Sequence, residues 1–332
     1  MEKILAYRTT EEEREFIEAW SKEHGVKVDM IPEPLLPETV HLAEGYDGVT
    51  TMQMDPIVDP VYERLESYGI HNIAQRSAGF DMYDLPSATN HGIVISNVPS
   101  YSPESIAEFA VFSALNLVRN RSLIQARVDE QNFLWETEIR ARPINAMTVA
   151  VIGVGRIGSR VARIYRQGLG AKVIGYDIEP KAEYDDLLTY VDSLEEAIQD
   201  ADIITLHTPL DASSHHMFDR ETLAKVKPGV ILVNTARGGL VDAEALIEAI
   251  DQGYIAQAAI DVYEHEAPYM PKDWRGRTIE DATFQAILDH PKIVYTPHIA
   301  YYTDVAVKNL VQGGLDATLE VIRTGDCQTR VK

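Results

Sequence analysis

The stretch from Thr148 to Asp177, TVAVIGVGRIGSRVARIYRQGLGAKVIGYD, limits the folds open to this chain more than any other. Its apolar, β-branched run from Val149 to Ile152 predicts a buried parallel strand. Gly153, Gly155 and Gly158 follow at G-x-G-x-x-G spacing. An amphipathic helix comes next, with Val161, Ile164, Tyr165 and Leu169 at helical intervals and a stop at Gly170. A second strand, 172–176, ends on Asp177. In such a unit the first glycine permits a tight turn and the second lets the backbone approach a pyrophosphate. The third lets helix and strand pack closely, and the helix N-terminus, with Arg156 and Ile157 in its first turn, faces the phosphates. Asp177 stands where a carboxylate accepts hydrogen bonds from an adenosine ribose diol. With every part in register the unit reads as a dinucleotide site; the bland alternative is a structural βαβ whose Asp177 only serves a turn.

Around this stretch the chain repeats β-α units. Before it, strands are expected at 3–7, 27–31, 47–52, 72–75 and 93–98. Helices are expected from a Thr10 cap, at 38–43 and at 60–68. After it come strands at 202–206, 229–234, 256–262 and 293–296, with helices at 195–200, 220–226 and 242–251. Ser102 and Pro103 suit the N-cap and first position of a long helix reaching at least Arg119. Residues 129–147 read as an irregular excursion, and 303–322 as a final helix with an apolar stripe. The fold class is α/β: two doubly wound parallel-sheet domains, a flavodoxin-like substrate domain (1–100 with 300–332) and a Rossmann-type cofactor domain (101–299). Two such lobes imply a cleft that closes on substrate, with hinges near 100 and 299.

A formal charge of −22 over 332 residues argues against a nucleic-acid footprint, which needs clustered Lys and Arg. The single cysteine, Cys327, rules out an intrachain disulfide and suits a reducing compartment. The opening MEKILAYRTTEEER holds no apolar run of signal length, and no stretch approaches a membrane span, so a cytoplasmic location is expected.

In open α/β sheets ligands bind beyond the carboxyl ends of strands. Arg237, Glu266 and His298 each follow such an end in a Gly- or Pro-marked loop. Together with VIGVGRIG, the motifs LHTPL, VNTARGGLVD, AIDVYEHE and TPHIAYYT run in order along the chain. On these motifs the sequence resembles the NAD-dependent D-2-hydroxyacid dehydrogenase family. Its NVPSYSPESIAEFA stretch and the insertion YMPKDWRGRTIEDATFQAI resemble the family's bacterial D-lactate dehydrogenases. The resemblance implies NAD(H) as cofactor, pyruvate and D-lactate as substrate pair, and a homodimer. It makes His298 the general acid–base, since imidazole titrates near working pH. Glu266 orients that ring and favours its charged form, and Arg237 clamps the substrate carboxylate bidentately. Asp261 is a positioning residue near the nicotinamide. His207, Thr208, Pro209, Thr235 and Ala236 border the cofactor. Ala78 and Gly79 offer backbone N–H groups to the substrate, with Tyr101, Tyr301 and Met52 lining its pocket.

Each of these residues has a plainer reading: a surface arginine, a solvated acid, a packed histidine. His207 equally suits a structural place at a strand edge. His215-His216 invites a metal, but no third ligand is spaced for it, so an exposed loop is expected and no metal is assigned; His265 is read as exposed likewise. Two positions depart from the family. Gly238-Gly239 follows Arg237 where many relatives have Gly-Pro, which predicts a looser loop. Met52 stands where lactate enzymes often present a tyrosine, which opens the pocket to bulkier 2-oxo acids such as 2-oxoisocaproate or phenylpyruvate. A third possibility is a non-catalytic nucleotide-sensing binding protein on the same scaffold.

Overall fold

The computed structural model describes residues 1–331. The chain divides into two compact units, one of Met1–Ser102 with the C-terminal stretch from Tyr302, the other Pro103–Tyr301.

The first unit is a five-stranded parallel sheet of β1 (Lys3–Tyr7), β2 (Lys27–Met30), β3 (Gly48–Thr51), β4 (Asn72–Gln75) and β5 (Val94–Ser96). Its order, β2-β1-β3-β4-β5, is the flavodoxin-like one. Side chains alternate across a strand, so β1 feeds two cores. Leu5 and Tyr7 pack with Val49, Ile73 and the Val61 and Leu65 of the helix Asp59–Ser67. Ile4 and Ala6 pack with Ile17 and Trp20 of the helix Arg14–His24 and with Val311, Leu315 and Leu319 of the helix Asp304–Thr324. The C-terminal helix thus completes the first unit's second core. Arg76, fully buried just past β4, donates from Nε to Glu13 Oε1 at 3.0 Å and from Nη2 to the Tyr7 carbonyl at 3.0 Å.

The second unit holds β6 (Thr148–Ile152), β7 (Lys172–Tyr176), β8 (Thr189–Tyr190), β9 (Ile203–Leu206), β10 (Val230–Asn234), β11 (Ile255–Ile260) and β12 (Ile293–Tyr295). All pair in parallel in the order β12-β11-β10-β9-β6-β7-β8, a Rossmann-type sheet whose direction of winding reverses between β6 and β9. Ala150 and Ile152 point into one core, Val149 and Val151 into the other, where Ala107, Ala110 and Ala114 of the helix Pro103–Val118 meet them.

Several local expectations need correcting. The long helix ends at Val118; Asn120, at φ 51°, breaks it, and a separate helix runs Arg121–Asp129. That helix buries no residue, so it leaves no apolar stripe for a sequence to display. The helix expected at 38–43 is a 3-10 turn, Val40–Ala43, and that at 220–226 is a single turn, Arg220–Leu223. The helix after the glycines is α-helical only over Arg156–Arg163 and widens to π geometry over Ile164–Gly168 before Gly170. Cys327 is buried, and burial pushes its thiol pKa up, which suits an unreactive thiol. Among the described residues no helix is long and apolar enough to cross a membrane.

Candidate active site

The glycine turn is shaped by contact. Gly153 has φ +87°, and a Cβ there would lie 2.7 Å from the His207 carbonyl carbon. A Cβ on Gly158 would lie 2.0 Å from the Gly153 oxygen, so helix and turn close on each other as only glycine allows. Gly155 differs: a Cβ there meets nothing within 4 Å. Among the described residues no atom requires glycine at 155, whereas a pyrophosphate approaching the helix N-terminus would.

Asp177 does more than the sequence suggested. Its Oδ2 accepts the Val154 N–H at 2.6 Å and its Oδ1 the Glu179 N–H at 2.9 Å. The carboxylate therefore pins the glycine turn to the end of β7, and spare lone pairs remain for a ribose diol. His207, left between two readings, has Nε2 2.8 Å from the Thr205 hydroxyl, and burial pushes its pKa down to about 3. It is a neutral strand-edge group. The Thr208 hydroxyl donates to the Ile152 carbonyl at 3.2 Å, and Pro209 is exposed. Ala236 donates its N–H to Asn234 Oδ1 at 3.0 Å. Two buried polar atoms just past β9 and β10, His207 Nδ1 and Thr235 Oγ1, have no hydrogen-bond partner among the described residues. Such orphans are costly and call for an outside partner. With the open side of Gly155 they fit a dinucleotide laid across the strand ends.

In the second unit Glu266 and His298 are brought together as well. Glu266 Oε1 lies 2.5 Å from His298 Nδ1, and Glu266 Oε2 accepts the Tyr263 N–H at 2.9 Å. The acid is 12% exposed and the imidazole 35%, so the ring is held from its buried side. Donation from Nδ1 to the carboxylate leaves Nε2 for proton exchange. His298 has φ +56°, a conformation that costs an L-residue energy and that its neighbours must impose. Asp261 imposes it. Its Oδ1 accepts the Thr296 hydroxyl at 2.5 Å and the Ile299 N–H at 3.0 Å. Its Oδ2 accepts the Ala300 N–H at 2.8 Å, and its carbonyl the His298 N–H at 2.7 Å. Burial raises the Asp261 pKa, against these hydrogen bonds. Asp261 thus shapes the turn that presents His298, which gives the positioning role expected of it a definite target.

Arg237 follows β10; its Nη1 donates to the Ala236 carbonyl at 2.8 Å, and its own carbonyl accepts Asn234 Nδ2 at 2.9 Å. The Gly-Gly loop after it is not loose: Gly239 accepts the His216 N–H at 2.7 Å, and Gly238 lies against the backbone of Tyr263 and Glu264 too closely for a side chain. Tyr301, half-buried, closes the second unit.

In the first unit, Met52 follows β3, and the loop of Ala78 and Gly79 follows β4. The Ala78 carbonyl accepts Asn97 Nδ2 at 2.7 Å and the Gly79 carbonyl accepts the Ser77 hydroxyl at 2.8 Å. None of the protein's hydrogen bonds among the described residues uses the N–H of Ala78 or Gly79, which leaves that pair free to donate. Tyr101 is held through its carbonyl by Asn309 Nδ2 at 2.6 Å.

One expectation fails. A third group does accompany His215-His216: Glu264, remote in sequence, reaches both rings. His265 is exposed as expected.

A glycine-turn Rossmann sheet, orphaned polar atoms at its strand ends and a buried carboxylate behind an imidazole define a nicotinamide-dinucleotide oxidoreductase. Residues 111–300 match the family model described as D-isomer specific 2-hydroxyacid dehydrogenase, NAD binding domain. The D-lactate dehydrogenase of Streptococcus agalactiae is 50% identical over 329 residues, covering 99% of both chains. The crystal structure of a D-lactate dehydrogenase from Treponema pallidum superposes with a TM-score of 0.90 at 40% identity, covering 99% of each chain. The NAD-complexed D-isomer specific 2-hydroxyacid dehydrogenase of Lactobacillus delbrueckii ssp. bulgaricus gives 0.86 at 35% identity, over 99% of this chain and 100% of that one. The chain belongs to the D-isomer specific 2-hydroxyacid dehydrogenase family and is an NAD-dependent enzyme.

Proposed function

We propose that this enzyme reduces pyruvate to D-lactate. The observation that carries the reading is the short Glu266–His298 contact, which sets one imidazole nitrogen as a proton donor at a strand end. NADH, when bound, would supply a hydride for the carbonyl carbon. His298 gives the proton from Nε2 to the carbonyl oxygen, while Glu266 holds the ring through Nδ1. Arg237 pairs with the substrate carboxylate and fixes the carbonyl for attack. Within the first unit, the N–H groups of Ala78 and Gly79 are free to donate to a substrate carboxylate. Asp177 takes the adenosine ribose diol, and its charge disfavours a 2′-phosphate. The identity to D-lactate dehydrogenases over the full length supports pyruvate as substrate.

A second reading within the family rests on Met52. A thioether in place of a tyrosine removes a hydroxyl and leaves an adaptable apolar wall, which suits 2-oxoisocaproate or phenylpyruvate. One pocket contact shifts such a preference by about 1–3 kcal/mol. Comparing kcat/KM for pyruvate and phenylpyruvate therefore decides the matter: a ratio favouring pyruvate supports the first reading, and the reverse replaces it. We further propose a cytoplasmic homodimer. Phe112, Phe133, Leu134 and Trp135 are 63%, 71%, 64% and 97% exposed within one short span of the second unit, an apolar load that suits burial against a second copy.

A further inference from the structure

We propose that His215, His216 and Glu264 form a binding site for one divalent transition-metal ion of the zinc, nickel or cobalt type. His215 Nε2 lies 2.8 Å from Glu264 Oε1, and His216 Nε2 lies 2.8 Å from Glu264 Oε2. The candidate ligand atoms all fall within 4.8 Å of one another. It is the one such group of three among the described residues. Consecutive side chains of an extended strand point to opposite faces. Here they do not: His216 sits at φ +50°, and the two imidazoles stack with centroids 3.9 Å apart, both Nε2 atoms aimed at one carboxylate. A β-carbon-bearing residue pays for the left-handed conformation, so the sequence sustains a cost to keep both nitrogens on one side.

The donor set decides the ion. Two imidazoles and a carboxylate suit divalent ions of the zinc, nickel or cobalt type, whereas magnesium and calcium take oxygen ligands. Metal–ligand distances of about 2.0–2.2 Å place the donors of a tetrahedral site about 3.3–3.6 Å apart, so an ion enters after each donor moves outward by a few tenths of an ångström. The rings are 47% and 35% exposed and the acid 27%, which gives both room for that movement and a path from solvent. Three protein ligands leave further positions for water. The site is also anchored: the His216 N–H donates to the Gly239 carbonyl at 2.7 Å, and Gly238 packs on the backbone of Glu264. The ion would therefore sit against the loop that follows Arg237 without using any of the residues assigned to hydride transfer.

The test is a titration of chelator-stripped protein with zinc chloride in competition with a chromophoric chelator, repeated with cobalt(II) for its visible absorption. One saturable equivalent is expected, with cobalt bands of imidazole ligation. His215→Gln, His216→Gln and Glu264→Gln should each weaken binding by at least about tenfold. Unchanged turnover of His215→Gln in the presence of chelator shows that the variant is folded. Absence of a saturable equivalent in the parent protein overturns the proposal. So does a His215→Gln/His216→Gln double variant that binds zinc as the parent does, because the ion then sits elsewhere. Magnesium chloride at the same concentrations should not compete; if it does, the assigned donor set is wrong.

Discussion

Asp261→Asn is the most informative single change. The carboxylate accepts three hydrogen bonds on two oxygens, from Thr296, Ile299 and Ala300, and so fixes the turn that carries His298 at φ +56°. An amide keeps one acceptor oxygen. With that oxygen at the Oδ1 position, the new NH2 faces the buried Ala300 N–H; with the amide reversed, it faces the Ile299 N–H. Either way a backbone donor loses its acceptor, at a cost of about 1–3 kcal/mol. The neutral amide recovers part of this, because burial already works against the charged carboxylate. The relaxed turn moves the imidazole, and a displacement near 1 Å at a catalytic group costs on the order of 10²-fold in rate. Steady-state oxidation of NADH by pyruvate should therefore show kcat reduced about 10²-fold with little change in NADH binding, and Asp261→Ala should be worse. The pH profile carries a second signature. A raised carboxylate pKa means that the folded protein binds the proton more tightly, so stability falls as pH rises through the window between the usual carboxylate pKa and the raised one. The Asn variant should lack that slope. A kcat within about twofold of the parent, with NADH affinity intact, would refute the positioning role.

Three further outcomes are expected. Asp177→Ala should admit NADPH and also loosen the glycine turn, because the Val154 N–H loses its acceptor; unchanged selectivity for NADH, measured as the ratio of kcat/KM values, would remove Asp177 from the ribose site. Glu13→Gln should leave the Arg76 guanidinium buried without its counter-charge and cost about 3–5 kcal/mol in denaturant unfolding, with the Glu13→Gln/Arg76→Met pair costing less; a single-variant loss below about 1 kcal/mol would contradict this. His207 stays neutral in the folded state with a pKa of about 3, so as pH falls from near 6.5 the unfolded chain alone takes up the proton and stability drops by at most about 1.4 kcal/mol per pH unit; His207→Gln should flatten this acid limb, and an unaltered slope would assign the protons elsewhere.

The sheets were legible because their signal is local. β-branched runs at 149–152, 203–206 and 230–234 are buried on both faces and read as such, and the glycine spacing names the turn between two of the strands. Arg237, Glu266 and His298 stood out because each is a polar residue just beyond an apolar run. What stayed hidden depends on contacts between distant segments. Glu264 meets His215-His216 only because the loops after β9 and β11 come together over the Gly238-Gly239 turn. Asp261 looked like a residue near the nicotinamide; that it holds residues 296–300 follows from β11 and β12 lying side by side. The helix Arg121–Asp129 was missed for the opposite reason: its apolar Leu123 and Val128 are exposed, so periodicity carried no message.

The proposed reaction is a stereospecific delivery of proton and hydride to pyruvate from a site built on Arg237, Glu266 and His298. Chiral separation of the product formed from pyruvate and NADH tests it most directly. D-lactate alone is expected, one molecule for each NADH oxidised, with loss of the product in His298→Ala while NADH still binds. L-lactate, a racemic product, or D-lactate formed at parental rate by His298→Ala would contradict it.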